Sequence, residues 1–330
     1  MNKIVSRLNY IDVLKGFAIF LMVMGHALSW SYPSNFVRTP DNDFVRNLIY
    51  AFHMPLFFFL SGYVIDLKNN EWNLSYCKQT LKKRFISLAL PCIIWFAISG
   101  FNDVSWFLRA LFLIICLFTI LRYISGKINN DSIEVFILLV FGYLLLFIAT
   151  RLIRNTSLDS IFNMTVFQIH YPYFVLGYLY RKYEIKYEKI FNSNVLYTVC
   201  IITFLLFFYL YNWTAHSHSI HAMMRYVLAV SGIYVCYRFA KDYSNVHNKI
   251  YLACEKMGKY SIEIYLLSGW FIMKVPGIFK LVIDNGFPEN IVIQALFGFI
   301  ISIPSVICCF MITDIISRSK FLNLILFGKR

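Results

Sequence analysis

The chain of 330 residues is 59% hydrophobic and only 15% charged, and its formal net charge is +14. Soluble domains are about 45–50% apolar, so this composition excludes a soluble globular protein, a disordered chain and a disulfide-rich scaffold. The surplus of apolar side chains, which includes 33 phenylalanines, is typical of a polytopic membrane protein.

The apolar residues are gathered in ten long runs. A transmembrane helix needs about 20 apolar residues, and the runs lack the alternating pattern of barrel strands, which leaves helices as the spanning elements. We therefore predict an all-α, polytopic integral membrane protein with about ten transmembrane helices in a single domain, residues 1–330. The predicted spans are 12–30, 46–67, 85–100, 104–121, 132–150, 163–181, 194–211, 223–240, 259–275 and 290–314.

The basic residues predict the orientation of these spans. With a cytoplasmic N-terminus, alternate loops place 23 of the 31 lysines and arginines on the cytoplasmic side and 8 outside. Cytoplasmic loops of membrane proteins carry such an excess. The sequence therefore predicts that both termini are cytoplasmic. The topology also explains the net charge, so no nucleic-acid partner is predicted.

Four ionisable side chains fall inside different predicted spans. They are His26, His53, Arg109 and His170, which lie ~6, ~10, ~8 and ~10 Å below the outer ends of their spans at ~1.5 Å per helical residue. Ionisable groups within a membrane are costly and indicate function. We predict that the four groups share one layer in the outer third of the membrane.

Structural roles are the alternatives. A single histidine can be a core residue bonded to a carbonyl group, and Arg109 can extend toward the outer surface. The loop after the seventh span carries a second group of histidines, His216, His218 and His221. A zinc site there needs a further ligand and a closed geometry, so we interpret this group as a solvated loop and predict no metal.

The first span carries a lysine at its inner end and a histidine near its outer end. Lys15 and His26 are eleven residues apart, about three helical turns, and project from similar faces ~16 Å apart. A lysine inside can hold a phosphate, while an imidazole, with its pKa near neutral, suits general-base catalysis. An extended phosphopantetheine arm matches this distance. The arrangement favours acyl transfer from cytoplasmic acyl-CoA to an acceptor outside.

Four segments resemble motifs of the acyltransferase-3 family, the bacterial membrane acyltransferases of surface carbohydrates. Tyr10–Ala18 (YIDVLKGFA), with the spacing from Lys15 to His26, resembles the family's Arg/Lys-x10-His signature. Phe52–Gly62 (FHMPLFFFLSG) resembles its second-span motif. Two weaker matches are Ser105–Leu108 (SWFL) and Lys256–Leu266 (KMGKYSIEIYL).

The resemblance implies O-acylation, most often O-acetylation, of a glycan or lipid-linked saccharide at the bacterial inner membrane, for example of O-antigen. Acetyl-CoA would be the cytoplasmic co-substrate, with no permanently bound cofactor. His26 would be the catalytic histidine and Lys15 a cation on the donor side. Lys83 and Arg84 would face the CoA phosphates, or else serve as positive-inside anchors. Membrane lipids are the other expected partners.

The roles of the remaining candidates stay open at this stage. His26 either takes the proton of the acceptor hydroxyl or forms a transient acyl-imidazole. His53 or Arg109 would polarise the thioester carbonyl or stabilise the oxyanion. Acceptor-side or structural roles are predicted for Asp12, Trp106 and His170.

Two features depart from the family's pattern, and one rival function uses the same residues. Lys15 replaces the commoner arginine, which loses a bidentate fork but keeps the charge. Ser268 stands where many relatives have histidine. The rival is a proton-coupled exporter or flippase of glycan intermediates, in which the buried histidines form a proton relay.

Overall fold

The computed structural model of the chain describes residues 8–31, 37–66, 71–100, 105–128, 130–214, 217–246, 248–273, 277, 280, 282–283 and 289–329. Every regular element within these ranges is helical. The prediction of an all-α fold is therefore confirmed. Long apolar sequences form helices because a helix satisfies its own backbone hydrogen bonds without water.

Two stretches of π-helix, π1 and π2, continue neighbouring α-helices. In chain order the elements are α1 Asn9–Ser31, α2 Phe44–Tyr63, α3 Leu74–Arg84, π1 Phe85–Ala89, α4 Leu90–Ile98, α5 Trp106–Gly126, α6 Asp131–Phe136, π2 Ile137–Phe141, α7 Gly142–Ile153, α8 Ser157–Phe162, α9 Met164–Tyr183, α10 Glu188–Phe191, α11 Asn194–Trp213, α12 His218–Asp242, α13 Lys249–Lys259, α14 Ser261–Phe271, α15 Ile291–Ser317 and α16 Lys320–Phe327.

Seven helical segments in the described ranges are long and apolar enough to cross a membrane. Each coincides with one of the ten predicted spans, and together they fit a polytopic membrane protein. They are Asn9–Trp30, Phe44–Tyr63, Trp106–Gly126, Asp131–Ile153, Asn194–Trp213, Ser219–Asp242 and Ile291–Ser317. The number ten and the cytoplasmic termini stay predictions.

The other three predicted spans lie in helices that are interrupted or more polar. The predicted span 85–100 falls on π1 and α4, which continue the basic helix α3. The predicted span 163–181 falls on α9, where a glutamine, a histidine and five tyrosines lower the hydropathy. The predicted span 259–275 is described as α14 up to Phe271, and residues 274–275 lie outside the described ranges.

The described chain divides into two compact units. Unit 1 contains Phe58–Ile185 and Asp314–Arg330, and unit 2 contains Ser6–Phe57 and Lys186–Thr313. The boundary falls within α2. This division concerns packing, and the single domain over 1–330 stays a prediction.

Reciprocal glycines set the closest helix crossing in each unit. In unit 2, a methyl group at Gly16 of α1 would overlap the carbonyl oxygen of Cys254 on α13, and one at Gly258 would overlap the carbonyl oxygen of Asp12. Small residues let helix backbones approach this closely in membranes. The crossing therefore depends on the absence of a side chain at both glycines.

The crossing in unit 1 has the same construction. A methyl group at Gly62 of α2 would overlap the carbonyl oxygen of Phe174 on α9, and one at Gly177 would overlap that of Phe59. Gly62 is the last residue of the second-span motif, and Gly16 directly follows Lys15 in the first motif. The motif glycines therefore have a packing role that the sequence alone did not reveal.

Labelling of single cysteines tests the predicted orientation. In a variant without the native cysteines, cysteines at Thr39 and Ser217 should react with an impermeant maleimide from outside, because both residues are exposed in predicted outer loops. Cysteines at the exposed positions Gln79 and Asn245 should react only from inside. Reaction of the Ser217 position from the cytoplasm would contradict the ten-span assignment.

Candidate active site

His26 lies near the C-terminal end of α1, one turn before an exposed tryptophan. Its imidazole stacks on the indole of Trp30, with ring centroids 4.8 Å apart and planes at 13°. The Nδ1 atom of His26 is buried and has no hydrogen-bond partner among the described residues. Trp30 is 42% exposed. A buried ring nitrogen without a partner remains available for a ligand or a proton.

His53 is fixed in one orientation within α2. It is only 2% exposed, and its Nδ1 lies 2.8 Å from the carbonyl oxygen of Ile49. A carbonyl oxygen accepts but cannot donate, so Nδ1 carries the proton and Nε2 of the neutral ring is an acceptor. The ring of Tyr50 packs edge-on against His53, with centroids 5.0 Å apart.

The two histidines form a pair within unit 2. His53 of α2 and His26 of α1 are near enough to influence each other electrostatically. Gly25 permits the approach of α1 and α2, because a methyl group there would lie 2.9 Å from the ring of Tyr50. The structure therefore brings together two of the three residues predicted to be catalytic.

Polar side chains connect the C-terminal end of α1 with the N-terminal end of α2. Arg46 Nε donates to Ser29 Oγ at 2.8 Å, and Ser29 Oγ donates to the carbonyl oxygen of Gly25 at 2.7 Å. Arg46 and Arg38 both pair at 2.8 Å with Asp43, which is 4% exposed. Paired and hydrogen-bonded, this buried carboxylate stabilises the local geometry. The network holds the helices that carry the two histidines.

Arg46 also contacts the ring of the tyrosine that packs against His53. Its guanidinium lies 4.8 Å from the ring centroid of Tyr50, the residue that packs against His53. The sequence predicts Arg46 only as one of the eight basic residues on the outer side. A sequence signal did exist, because Arg46, Tyr50 and His53 recur at helical spacing on one face of α2.

The third and fourth members of the predicted layer lie in unit 1. His170 of α9 is 5% exposed and stacks on Phe58, with centroids 4.5 Å apart and planes at 9°. The indole of Trp106 lies on it at 6.0 Å, so the structure brings these two predicted residues together. Arg109, three residues after Trp106 on α5, is half-buried. A common depth for all four groups stays a prediction.

Two predicted site residues of α1, Asp12 and the donor-side Lys15, lie at the glycine crossing with α13. Asp12 is 6% exposed, and its carbonyl group contacts Gly258. Lys15 immediately precedes the other crossing glycine, Gly16, and is half-buried. Because α1 is unbroken from Asn9 to Ser31, Lys15 and His26 lie on one continuous helix.

Lys83 and Arg84 end α3, just before π1. Lys83 is exposed and Arg84 is half-buried, and neither forms an ion pair within the described part of the chain. Burial lowers the pKa of Arg84, and Tyr76 opposes this shift. A guanidinium has a pKa above 12 and stays charged. A half-buried cation of this kind is well suited to bind a phosphate.

The C-terminal helix α16 packs on the segment that follows these cations. Trp95 Nε1 of α4 donates to the carbonyl oxygen of Leu326 at 2.8 Å. Gly328 has a positive φ of 65° and lies against the backbone of Ile86 in π1. This contact was not predicted, although a glycine just after an apolar helix is a common C-terminal signal.

One further prediction about polar residues has an outcome. His221 lies in the first turn of α12, and its ring stacks on Tyr211 with centroids 3.9 Å apart, so the prediction of a loop at this position is wrong. His216 lies outside the described ranges. Glu263 of α14, which had no assigned role, is a carboxyl group only 1% exposed.

Comparison with known proteins identifies the class of enzyme. The family described as an acyltransferase domain matches residues 8–103 and 98–314, which include all nine predicted site residues. The chain belongs to the acyltransferase-3 family. The resemblance inferred from the motifs is thus confirmed, and the protein is a membrane acyltransferase.

A curated relative supports the same family. The nodulation protein NolL of Sinorhizobium fredii (strain NBRC 101917 / NGR234) is 33% identical over 90 residues, which are 26% of this chain and 23% of the relative. The match thus spans about a quarter of the relative's length. No solved structure matches the chain.

Proposed function

We propose that this acyltransferase-3 protein is an O-acetyltransferase of the bacterial inner membrane. It transfers the acetyl group of cytoplasmic acetyl-CoA to a hydroxyl group of a lipid-linked or surface polysaccharide, such as O-antigen, with both termini in the cytoplasm. The observation that carries the proposal is the pairing of His26 with His53 in the chain of a membrane acyltransferase. The family match favours this transferase over an exporter or flippase.

The proposed base is His26. As the acceptor hydroxyl oxygen attacks the thioester carbonyl carbon, the imidazole takes the hydroxyl proton. A C–O bond forms, the C–S bond breaks, and the imidazolium of His26 gives its proton to the departing thiolate, so the products are the acetyl ester and CoA thiol. The buried Nδ1 of His26, which has no partner among the described residues, supports a role in proton transfer over a purely structural role.

The tautomer of His53 supports one of the two divisions of roles that the sequence leaves open for His53 and Arg109. Neutral His53 presents Nε2 as an acceptor, because Nδ1–H is bound to Ile49. An oxyanion needs donors, and an arginine side chain offers donors alone. We therefore propose an acceptor role beside His26 for His53, and oxyanion stabilisation stays the role proposed for Arg109.

The cations of the donor side are Lys15, Lys83 and Arg84. Since α1 is one continuous helix, Lys15 and His26 are separated by ~16 Å along its axis. Lys15 would hold a phosphate of the donor while the thioester reaches His26. Lys83 and Arg84, which form no ion pair in the described ranges, would add charge for the remaining CoA phosphates. Asp12, Trp106 and His170 are assigned to the acceptor side or to structure.

Mass spectrometry of surface glycans tests the proposed function. Cells carrying the gene should show glycans with one additional acetyl group per repeat, and cells without it should not. Complementation with wild-type protein should restore the acetyl group, whereas complementation with the His26→Ala variant at equal abundance should not. Identical glycans with and without the gene would contradict a role in polysaccharide acetylation.

Removal of the Lys15 charge is expected to impair donor binding more than chemistry. Lys15→Ala removes a cation but no proton-transfer group, so KM for acetyl-CoA should rise about tenfold, the scale of one charge-assisted contact. Lys15→Arg keeps the charge and should retain most of the activity. Steady-state kinetics on purified protein measure both quantities, with Lys189→Ala as the control. An unchanged KM in Lys15→Ala would remove Lys15 from the donor site.

A further inference from the structure

Unit 2 contains an apolar groove that the proposed reaction does not use. It has a volume of about 470 Å³ and runs between α1, α11, α12 and α13. Its lining includes Leu14, Phe17, Tyr197, Cys236, Phe239 and Tyr251. Phe17 and Phe239 are 38% and 56% exposed, so the groove is open at its rim.

Water is a poor occupant of this groove. A water molecule in a cavity needs two to four polar partners, and most lining side chains are apolar. Asn248 lies in the lining, but its side-chain oxygen accepts the backbone N–H of Tyr251 at 2.8 Å. Because this oxygen already accepts a hydrogen bond at the start of α13, it is not available to water. A hydrocarbon chain fits the remaining apolar lining better.

The charges beside the groove favour an anionic ligand. Arg238 and Asp242 pair with each other at 2.6 Å and together are neutral. Lys241 adjoins the lining residue Ala240, and the exposed Lys249 adjoins the lining residues of α13. Two acidic residues, Asp12 and Glu255, also act on the lining residue Tyr251, and Glu255 pairs with Lys259 at 2.6 Å. The lysines next to the lining, Lys15, Lys241 and Lys249, still outnumber the remaining carboxylate of Asp12, so the charged residues around the groove are basic on balance. Basic groups at the membrane surface attract anionic lipid headgroups.

The position of the groove in the chain agrees with a lipid of the inner leaflet. The groove is lined by the first residues of α1 and α11, the last residues of α12, and α13. The predicted orientation places all of these at the cytoplasmic face, where anionic lipids meet basic segments. We propose that this groove binds one acyl chain of an anionic phospholipid, whose phosphate lies beside Lys241 and Lys249.

Native mass spectrometry of the purified full-length chain tests this proposal. The probes are dioleoylphosphatidylglycerol, which is anionic, and dioleoylphosphatidylcholine, which is zwitterionic. Wild-type protein should retain the anionic lipid preferentially. Lys249→Glu, which reverses an exposed charge, should weaken retention of the anionic lipid about tenfold and leave the zwitterionic lipid unchanged. Ala240→Phe, which fills the groove, should lose both lipids.

Controls separate the groove from general lipid binding. Lys320→Glu reverses an exposed charge in unit 1 and should retain both lipids like the wild type. Lys249→Glu decides the outcome if Ala240→Phe does not fold. Equal retention of the anionic lipid by wild type, Lys249→Glu and Lys320→Glu would overturn the proposal. Displacement of the lipid by palmitoyl-CoA but not by acetyl-CoA would also overturn it, because the groove would then belong to a donor acyl chain.

Discussion

Replacement of His26 by alanine is expected to lower the acyl-transfer rate by about 10²–10⁴-fold, the usual contribution of a general base. Abundance and binding of acyl-CoA should be retained, because the side chain is half-buried near the end of α1. The rate is measured with purified protein as the release of CoA thiol. His26→Gln, which is polar but does not titrate, should be similarly inactive.

A structural histidine would give a different pattern. Glutamine would then largely restore activity, and alanine would lower thermal stability together with the rate. His221→Gln is the matched control, because His221 also stacks on an aromatic ring but lies outside the histidine pair. A His26→Gln protein of normal abundance and near-normal rate would contradict the mechanism, although the family assignment would stand.

Alanine substitutions of His53 and His170 should both lower the rate less than His26→Ala, and to different extents. His53→Ala removes the partner of His26 and opens a cavity at a residue only 2% exposed, so its effect should be severe. His170→Ala should be milder, since the ring of His170 is stacked between Phe58 and Trp106 and has a packing role. Equal loss of rate in both variants would place His170 in the chemistry as well.

The helices were predictable because the length of an apolar run is itself the structural signal. The predicted span 194–211 corresponds to Asn194–Trp213, and 12–30 corresponds to Asn9–Ser31. The π segments gave no such signal. A π turn widens the helix by about one residue and leaves the apolar run intact, so hydropathy did not reveal π1 or π2.

The sequence was enough to propose residues for the candidate site. It was not enough to predict the contacts among them. Helical rise and the predicted orientation place His26 and His53 at similar depths, and that depth stays a prediction. The support of the pair by Ser29, Arg46 and Asp43 depends on how α1 meets α2, and that tertiary contact leaves no local pattern. The tautomer of His53 was also hidden, because it depends on the side chain turning back to the carbonyl group of Ile49.

The glycines at the helix crossing also depend on a tertiary contact that leaves no local pattern in the sequence. Gly16 and Gly258 belong to two motifs that were quoted for their resemblance to the family, yet neither motif alone indicates that the two glycines face each other. The requirement for glycine arises only when α1 and α13 pack together. A sequence without an alignment provides no signal for such a pair, and the structure provides it directly.

Substitution of Gly16 by alanine is therefore expected to destabilise the protein by about 3 kcal/mol or more, at the upper end of overpacking effects. The added methyl group would overlap the carbonyl oxygen of Cys254. A backbone atom within a helix cannot turn aside as a side chain can, so α1 and α13 must separate. Gly258→Ala should have the same effect, since its methyl group would overlap the carbonyl oxygen of Asp12.

Gly269 of α14 provides the matched control. A methyl group there would meet only the side chain of Trp30, at 3.5 Å, which is an ordinary contact. In a helix interior alanine is favoured over glycine by about 1 kcal/mol, so Gly269→Ala should be neutral or stabilising. The thermal midpoint of the purified protein, followed by loss of the monodisperse species on heating, measures all three variants. A Gly16→Ala midpoint equal to that of Gly269→Ala would contradict the close crossing, and with it the placement of Lys15 against α13.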